Sequence, residues 1–138
     1  MIRGVLDTNT IISGIGWSGA PRAVLDAAID REFVLLTSPD LLAELRRVLS
    51  YRRLRILPTA RVQEVLALLP LLAHMVEPEE RLAIIHQDPP DNRVLECAIT
   101  GHASHIVTGD EHLLRLKSFR GIPVLTPAAF LRVLKRRE

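Results

Sequence analysis

The chain is poor in cysteine, lysine and aromatic residues, and each shortage narrows what it can be. Its one cysteine, Cys97, can form no internal disulfide and no thiolate zinc site. A reducing compartment is therefore the simpler setting. Aromatic residues make up 4% of the chain, which leaves leucine, isoleucine, valine and alanine to fill the core. The longest apolar stretch, residues 65–76, is interrupted by Pro70 and His74. It falls short of the ~20 residues a membrane span needs. Met1-Ile2-Arg3-Gly4 leads straight into a strand-like segment, without a charged leader and apolar signal region. The expectation is a soluble, cytoplasmic protein with no membrane partner. No Gly-rich phosphate loop ending in Lys and Ser/Thr occurs, which argues against an NTPase.

What is present is an ordinary globular composition: 48% apolar and 25% charged residues over 138 positions. That length predicts one domain spanning residues 1–138, large enough to bury a core. The net charge is only +2, yet the pI is about 9.2. Nearly all the cationic residues are arginines, with Lys117 and Lys135 the only lysines. Arg46, Arg47, Arg52, Arg53 and Arg55 fall together. Guanidinium forks match phosphate geometry, so Arg46, Arg47, Arg52 and Arg53 are candidates for guiding a nucleic-acid backbone. The plainer reading is a solvated helix face.

Strand-like and helix-like stretches alternate along the chain. Apolar runs at 2–6, 33–37, 105–108 and 122–125 read as strands, with a short one at 75–77. Helical spacing covers 21–31, 39–50, 59–74, 91–100, 110–116 and 127–136. Ser38-Pro39 and Thr126-Pro127 are cap-plus-proline starts. Pro70 is expected to kink or divide its helix. Asp88-Pro89-Pro90 is expected to be extended, because residues before proline avoid the helical region. This alternation predicts an α/β fold, a three-layer α/β/α sandwich around a mainly parallel sheet. Ligands in such sheets bind beyond the carboxyl ends of the strands, at the switch point.

Four acids stand out on this fold. Asp7 and Asp110 each follow a strand, at the same sheet edge, and face each other if those strands are neighbours. The plainer job for each is a helix N-cap. Glu44 lies just outside the apolar arc of Leu41, Leu42, Leu45, Val48 and Leu49, roughly 40° from Val48 on a helical wheel. It can reach a cleft rim or point to solvent. Asp91 lies in the middle of an apolar face with Val94, Leu95, Ala98 and Ile99, where a charge needs a partner or a cation. Glu96 projects away on the same wheel and is expected at the solvated surface. Asp88 is expected to shape its turn or act as a peripheral ligand. Clustered carboxylates suit hard cations such as Mg²⁺ or Mn²⁺, which can activate water against a phosphoryl group. Thr8, Asn9, Ser13, Asn92 and Thr108 are neutral polar candidates to orient ligands or water.

Asp7-Thr8-Asn9 with Ser13, then Glu44, then Asp88-Pro89-Pro90-Asp91-Asn92 with Leu95-Glu96-Cys97-Ala98, then Val107-Thr108-Gly109-Asp110 occur in one order over nearly the whole chain. In these motifs the chain resembles the PIN domain family (PilT N-terminus-like), of the small bacterial or archaeal type acting as VapC-like toxins of type II toxin–antitoxin pairs. The resemblance implies a sheet of about five strands and Mg²⁺- or Mn²⁺-dependent endoribonuclease activity on RNA. It implies a catalytic set of Asp7, Glu44, Asp91 and Asp110, with Asn9, Ser13, Thr108 and Asn92 in support. It places the metal on Asp7, Asp91 and Asp110, and it implies a homodimer and an antitoxin partner. The chain departs from the pattern at His112, where many such domains carry another acid; this puts a second metal in doubt.

Two other classes compete. A phosphatase with a strand-end aspartate nucleophile would want a second aspartate where Asn9 stands. A phospho-acceptor domain would want a lysine after a late strand, and Lys117 is poorly placed. The other class is a catalytically weak nucleic-acid-binding module on a nuclease fold. His74, His86, His102, His105 and His112 show no metal-ligand spacing, and His112 reads as a surface helix residue. Trp17 either packs its glycine-rich loop or stacks on a base.

Overall fold

The structure is a computed structural model that describes residues 1–137. Strand β1 (Arg3–Leu6) leads into helix α1 (Thr8–Gly16) and helix α2 (Ala20–Ile29). β2 (Val34–Thr37), α3 (Pro39–Leu49), a short 3₁₀ turn (Arg52–Ile56), α4 (Thr59–Leu72) and β3 (His74–Met75) follow. After a long irregular segment come α5 (Asp91–Thr100), β4 (His105–Val107), α6 (Glu111–Leu114), β5 (Ser118–Phe119), β6 (Ile122–Leu125) and α7 (Pro127–Arg136).

The sheet order is β3-β2-β1-β4-β6-β5. Five strands run parallel, and two-residue β5 forms an antiparallel edge on β6. The expected mainly parallel, three-layer architecture is therefore present. Chain direction across the sheet reverses between β1 and β4, which pair directly with Leu6 opposite Val107. That is the switch point, and the loops leaving both strands open there.

Successive strand residues face opposite sides. Leu6, Leu35 and Val107 join one core with α1, α2, α4 and α7. Val5, Leu36 and Ile106 join the other with α5 and α6. Side-chain caps start four of the helices that follow strands. Asp7 accepts from Thr10 N, Ser38 from Leu41 N, Asp110 from His112 N and Thr126 from Ala129 N.

Helix α1 has no strong signature in its sequence. Thr8, Thr10, Ile11, Ile12 and Ile15 are β-branched, and Gly14 and Gly16 disfavour helix further. Burial of Ile11, Ile12 and Ile15 overrides that weak propensity. Gly14 also allows α1 and α2 to touch: a Cβ there would lie 2.9 Å from the Pro21 carbonyl. Pro70 does not divide α4. It sits in the last turn, and the helix ends two residues later instead of bending mid-length.

Two expectations fail in the irregular segment, residues 76–90, and in the helix α5 that it crosses. Asp88-Pro89-Pro90 is a tight turn rather than extended, with Asp91 N donating to the Asp88 carbonyl at 3.0 Å. Pro90 is in the helical region and caps α5. Glu96 is not at the surface but 1% exposed. The segment lies as a strap across α5, held by side chains spaced four apart along one helix face. Glu79 N donates to Thr100 Oγ1 (3.0 Å) and Leu82 N to Glu96 Oε2 (2.7 Å). Ile84 N and Ile85 N both donate to Asn92 Oδ1 at 2.9 Å. The polar face of α5 thus takes the place of a partner strand for a backbone with few of its own.

Candidate metal and nuclease site

The site forms where the β1 and β4 loops meet the start of α5. Oxygen or nitrogen atoms of Asp88, Asp91, Asp110 and His112 all lie within 4.8 Å of one another. Asp91 is the buried member, and its Oδ2 is enclosed with no hydrogen-bond partner among the described residues. Burial first, then the charges of Asp110 and Asp88, push its carboxyl up to about 8. Burial and Asp110 raise Asp88 as well, with His112 opposing. Such a group stores electrostatic tension that a bound cation relieves. An orphaned carboxylate oxygen beside two further carboxylates and an imidazole is a donor set that fits a divalent cation.

Asp7 borders this group, but its oxygens are already engaged. Oδ1 caps α1 through Thr10 N at 3.0 Å, and Oδ2 accepts from Thr108 Oγ1. Thr108 Oγ1 in turn accepts from Asp110 N at 2.9 Å. A short relay, Asp7 to Thr108 to Asp110, therefore fixes the turn that carries the fourth acid. Asp7 is buried, and that burial raises its carboxyl despite these hydrogen bonds. Asp7 and Asp110 both act as N-caps, so the plain role and the site role coincide.

Glu44 reaches the rim. It is half-buried, accepts from Thr8 Oγ1 at 2.9 Å, and shares a cavity of about 100 Å³ with Asp7, Asp88 and Asp91. Asn9 lines that cavity too. Asn92 does not face it. Its Oδ1 takes the strap amides, and its Nδ2 donates to the Ile85 and Pro89 carbonyls at 2.9 and 3.0 Å. It anchors the turn bearing Asp88 rather than touching a ligand. Ser13 is likewise outside the acidic cavity and lines a second cleft, at the start of α2 and α7.

The arginines divide. Arg53 lines the acidic cavity and stacks on Tyr51, its guanidinium carbon 5.1 Å from the ring centre. Arg47 lines an adjoining cleft of about 380 Å³, together with Glu44, Pro90, Arg81 and Arg93. Arg46 lies instead on a groove between α3 and α4, and Arg52 is exposed beside neither cleft. Arg81 and Arg93, which the clustering at 46–55 does not suggest, are brought in by the strap and α5. Asp88 and His112 are the other residues that sequence reasoning undervalues. The signal for both is their spacing from Asp91 and Asp110. Cys97 is buried, its thiol pushed up to about 12 by that burial, which suits packing rather than nucleophilic chemistry.

The family model described as "PIN domain" matches residues 3–112. An uncharacterized protein of Methanocaldococcus jannaschii is 29% identical over 119 residues, covering 84% of this chain and 76% of that protein. A crystal structure of VapBC2 from Rickettsia felis, bound to a DNA fragment from its promoter, contains a chain of like fold. It superposes with a TM-score of 0.60 at 14% identity, over 91% of this chain and 98% of that one. At that identity the likeness is one of fold.

Proposed function

This chain belongs to the PIN domain family, and from that premise we propose that it is a divalent-metal-dependent endoribonuclease, the toxin of a type II toxin–antitoxin pair. The observation that carries the reading is the enclosed, unpartnered Oδ2 of Asp91 beside Asp88, Asp110 and His112. Asp91 and Asp110, with Asp88 and His112 within reach, are the residues that would hold the cation, Mg²⁺ or Mn²⁺. When bound, the ion offsets the crowded carboxylates and supplies Lewis-acid polarisation of a phosphate and activation of water.

The chain's own residues do the rest. Thr108 and Asp7 hold Asp110 in place from behind. Asp7, with one hydrogen bond on each carboxylate oxygen, keeps lone pairs that would serve as a direct or water-bridged ligand while Thr108 orients it. Glu44, fixed by Thr8, faces the same cavity and accepts a proton or orients water there. Arg47 and Arg53 at the rim take backbone phosphates of single-stranded RNA. The toxin role, a cytoplasmic setting, a homodimer and an antitoxin partner rest on the family resemblance, together with the fold shared with the VapBC2 chain.

The test is cleavage of total RNA and tRNA by wild type, Asp91→Asn and Asp110→Asn, with Mg²⁺ or Mn²⁺ and with EDTA. Wild type is expected to cut only with metal. Either variant is expected to lose at least ~100-fold in rate, as disturbed metal sites do. Cleavage that survives EDTA, or survives Asp91→Asn, overturns the assignment. Growth arrest on expression, relieved by Asp91→Asn, tests the toxin role.

A further inference from the structure

On the side of the acidic centre away from Arg47 lies a second cleft, of about 380 Å³. Its chemistry is different. Ala20 and Pro21 at the start of α2 and Pro127 and Ala128 at the start of α7 form apolar walls. Ser13 and Asn9 on α1 supply polar groups, and neither side chain takes part in a hydrogen bond among the described residues. Asp110 closes one end, so the cleft is continuous with the metal-ligating group. No arginine or lysine lines it.

These features sort the two clefts. The cleft with Arg47, Arg81 and Arg93 carries guanidinium groups that can meet phosphates, with Asp40 and Glu44 also on its wall and Glu96 paired to Arg81 and Arg93. The Pro21–Pro127 cleft has no cationic side chain to receive a phosphate, and Asp110 adds negative charge at one end. Its volume falls within the range of small-molecule sites. It has rigid apolar rings on two sides and an unused hydroxyl and amide within reach. Because Asp110 belongs to both, a polymer whose phosphate sits at the acids has this cleft within reach of its next unit.

We propose that the cleft between the N-terminal turns of α2 and α7 is a nucleoside subsite, holding the base and ribose that flank the reacting phosphate. Ser13 and Asn9 offer it both donor and acceptor groups. The geometry of its floor depends on Gly14, where α1 meets the Pro21 carbonyl. Selection among RNA sequences then arises here, while arginine contacts to the phosphate backbone position the strand without reading it. This inference deepens the nuclease reading and rests on it for the placement of the phosphate.

Binding of uncharged nucleosides tests it without cleavage. Adenosine, cytidine, uridine and inosine are titrated at millimolar concentration into the protein in EDTA, with ribose and inorganic phosphate as controls. Amide resonances of Ala20, Gly109 and Ala128 are followed by NMR. At least one nucleoside is expected to shift all three saturably, and the controls none. Ala128→Leu, an exposed helix position with a good helix former, fills the cleft and is expected to weaken binding at least tenfold. Ser13→Ala is expected to weaken it about threefold with the rest of the spectrum unchanged. Shifts absent from these amides, or equal affinity in Ala128→Leu, overturn the proposal. Failure here with metal-dependent cleavage intact sinks the subsite alone. Nucleoside binding in a protein that cleaves no RNA sinks the nuclease reading and with it the subsite's place beside a reacting phosphate, leaving only a nucleoside-binding cleft.

Discussion

Replacing Glu96 with alanine removes the middle rung of the ladder that holds the strap against α5. The wild-type carboxylate is 1% exposed. Its Oε2 accepts from Leu82 N at 2.7 Å and meets Arg93 Nη2 at 3.0 Å, and Oε1 lies 3.8 Å from Arg81. Without it, Arg93, whose side chain is 17% exposed, keeps only the Leu82 carbonyl at 2.8 Å. Losing one partner of a buried ion pair costs about 3–5 kcal/mol. Domains of this size are stable by about 5–15 kcal/mol. A melting point lower by about 9–25 °C follows, at roughly 3–5 °C per kcal/mol. Glu96→Gln loses the charge that pairs with Arg93 but keeps a neutral oxygen to accept from Leu82 N and Arg93, so a smaller penalty of about 1.5–3 kcal/mol is expected. Urea unfolding followed by circular dichroism gives both values. Calorimetric Mn²⁺ titration gives the functional consequence, since the strap ends at Asp88: affinity is expected to fall in the alanine variant and hold in the glutamine variant. An alanine variant within 1 kcal/mol of wild type, or a glutamine variant just as damaged, would refute the idea that this rung organises the strap.

Three further outcomes are expected. The metal-free protein should lose stability as pH rises. The Asp91 carboxyl titrates at about 8 when folded, against ~3.9 when unfolded. Its contribution is therefore complete below pH ~4 and lost as pH climbs through about 8. Melting curves from pH 5 to 9 should fall for wild type, flatten for Asp91→Asn, and recover at pH 8 on adding Mn²⁺; equal metal-free melting points at pH 5 and 8.5 would count against the crowded site. Arg47→Ala and Arg53→Ala should each weaken single-stranded RNA binding and lower the salt slope by about 1, as read by fluorescence anisotropy. Arg46→Ala and Arg52→Ala, away from both site clefts, should change it less than about twofold; the reverse ranking would move the RNA path. Gly14→Ala places a Cβ 2.9 Å from the Pro21 carbonyl and 3.0 Å from Leu25 Cβ. Forcing α1 and α2 apart should cost about 1–3 kcal/mol, and a neutral effect in urea would show that the contact gives way easily.

Much of the molecule is legible in its sequence. Strand alternation and cap residues place β6, α5 and α7 at the bounds expected, because those signals lie within a few residues of what they govern. The same local logic sets Asp7 and Asp110 at one sheet edge, turns Asp91 inward and brings Glu44 to a rim. It does not find α1, whose β-branched residues and glycines speak against helix until Ile11, Ile12 and Ile15 are buried. A helical wheel also misplaces Glu96, since it shows which face is apolar but not whether another segment will cover the polar one.

Local sequence therefore dictates the order of strands and helices, the caps, and which acids stand at strand ends or on an apolar face. These follow from backbone sterics and periodicity over short spans. Which of those acids meet is a matter of long-range packing. Asp88 and His112 join Asp91 and Asp110 because the strap is pinned to α5 and because β4 pairs with β1. The same packing separates Arg47 and Arg53 from Arg46 and Arg52, and Ser13 from the acids. Those groupings depend on contacts between residues far apart in the chain, whose geometry no local propensity encodes.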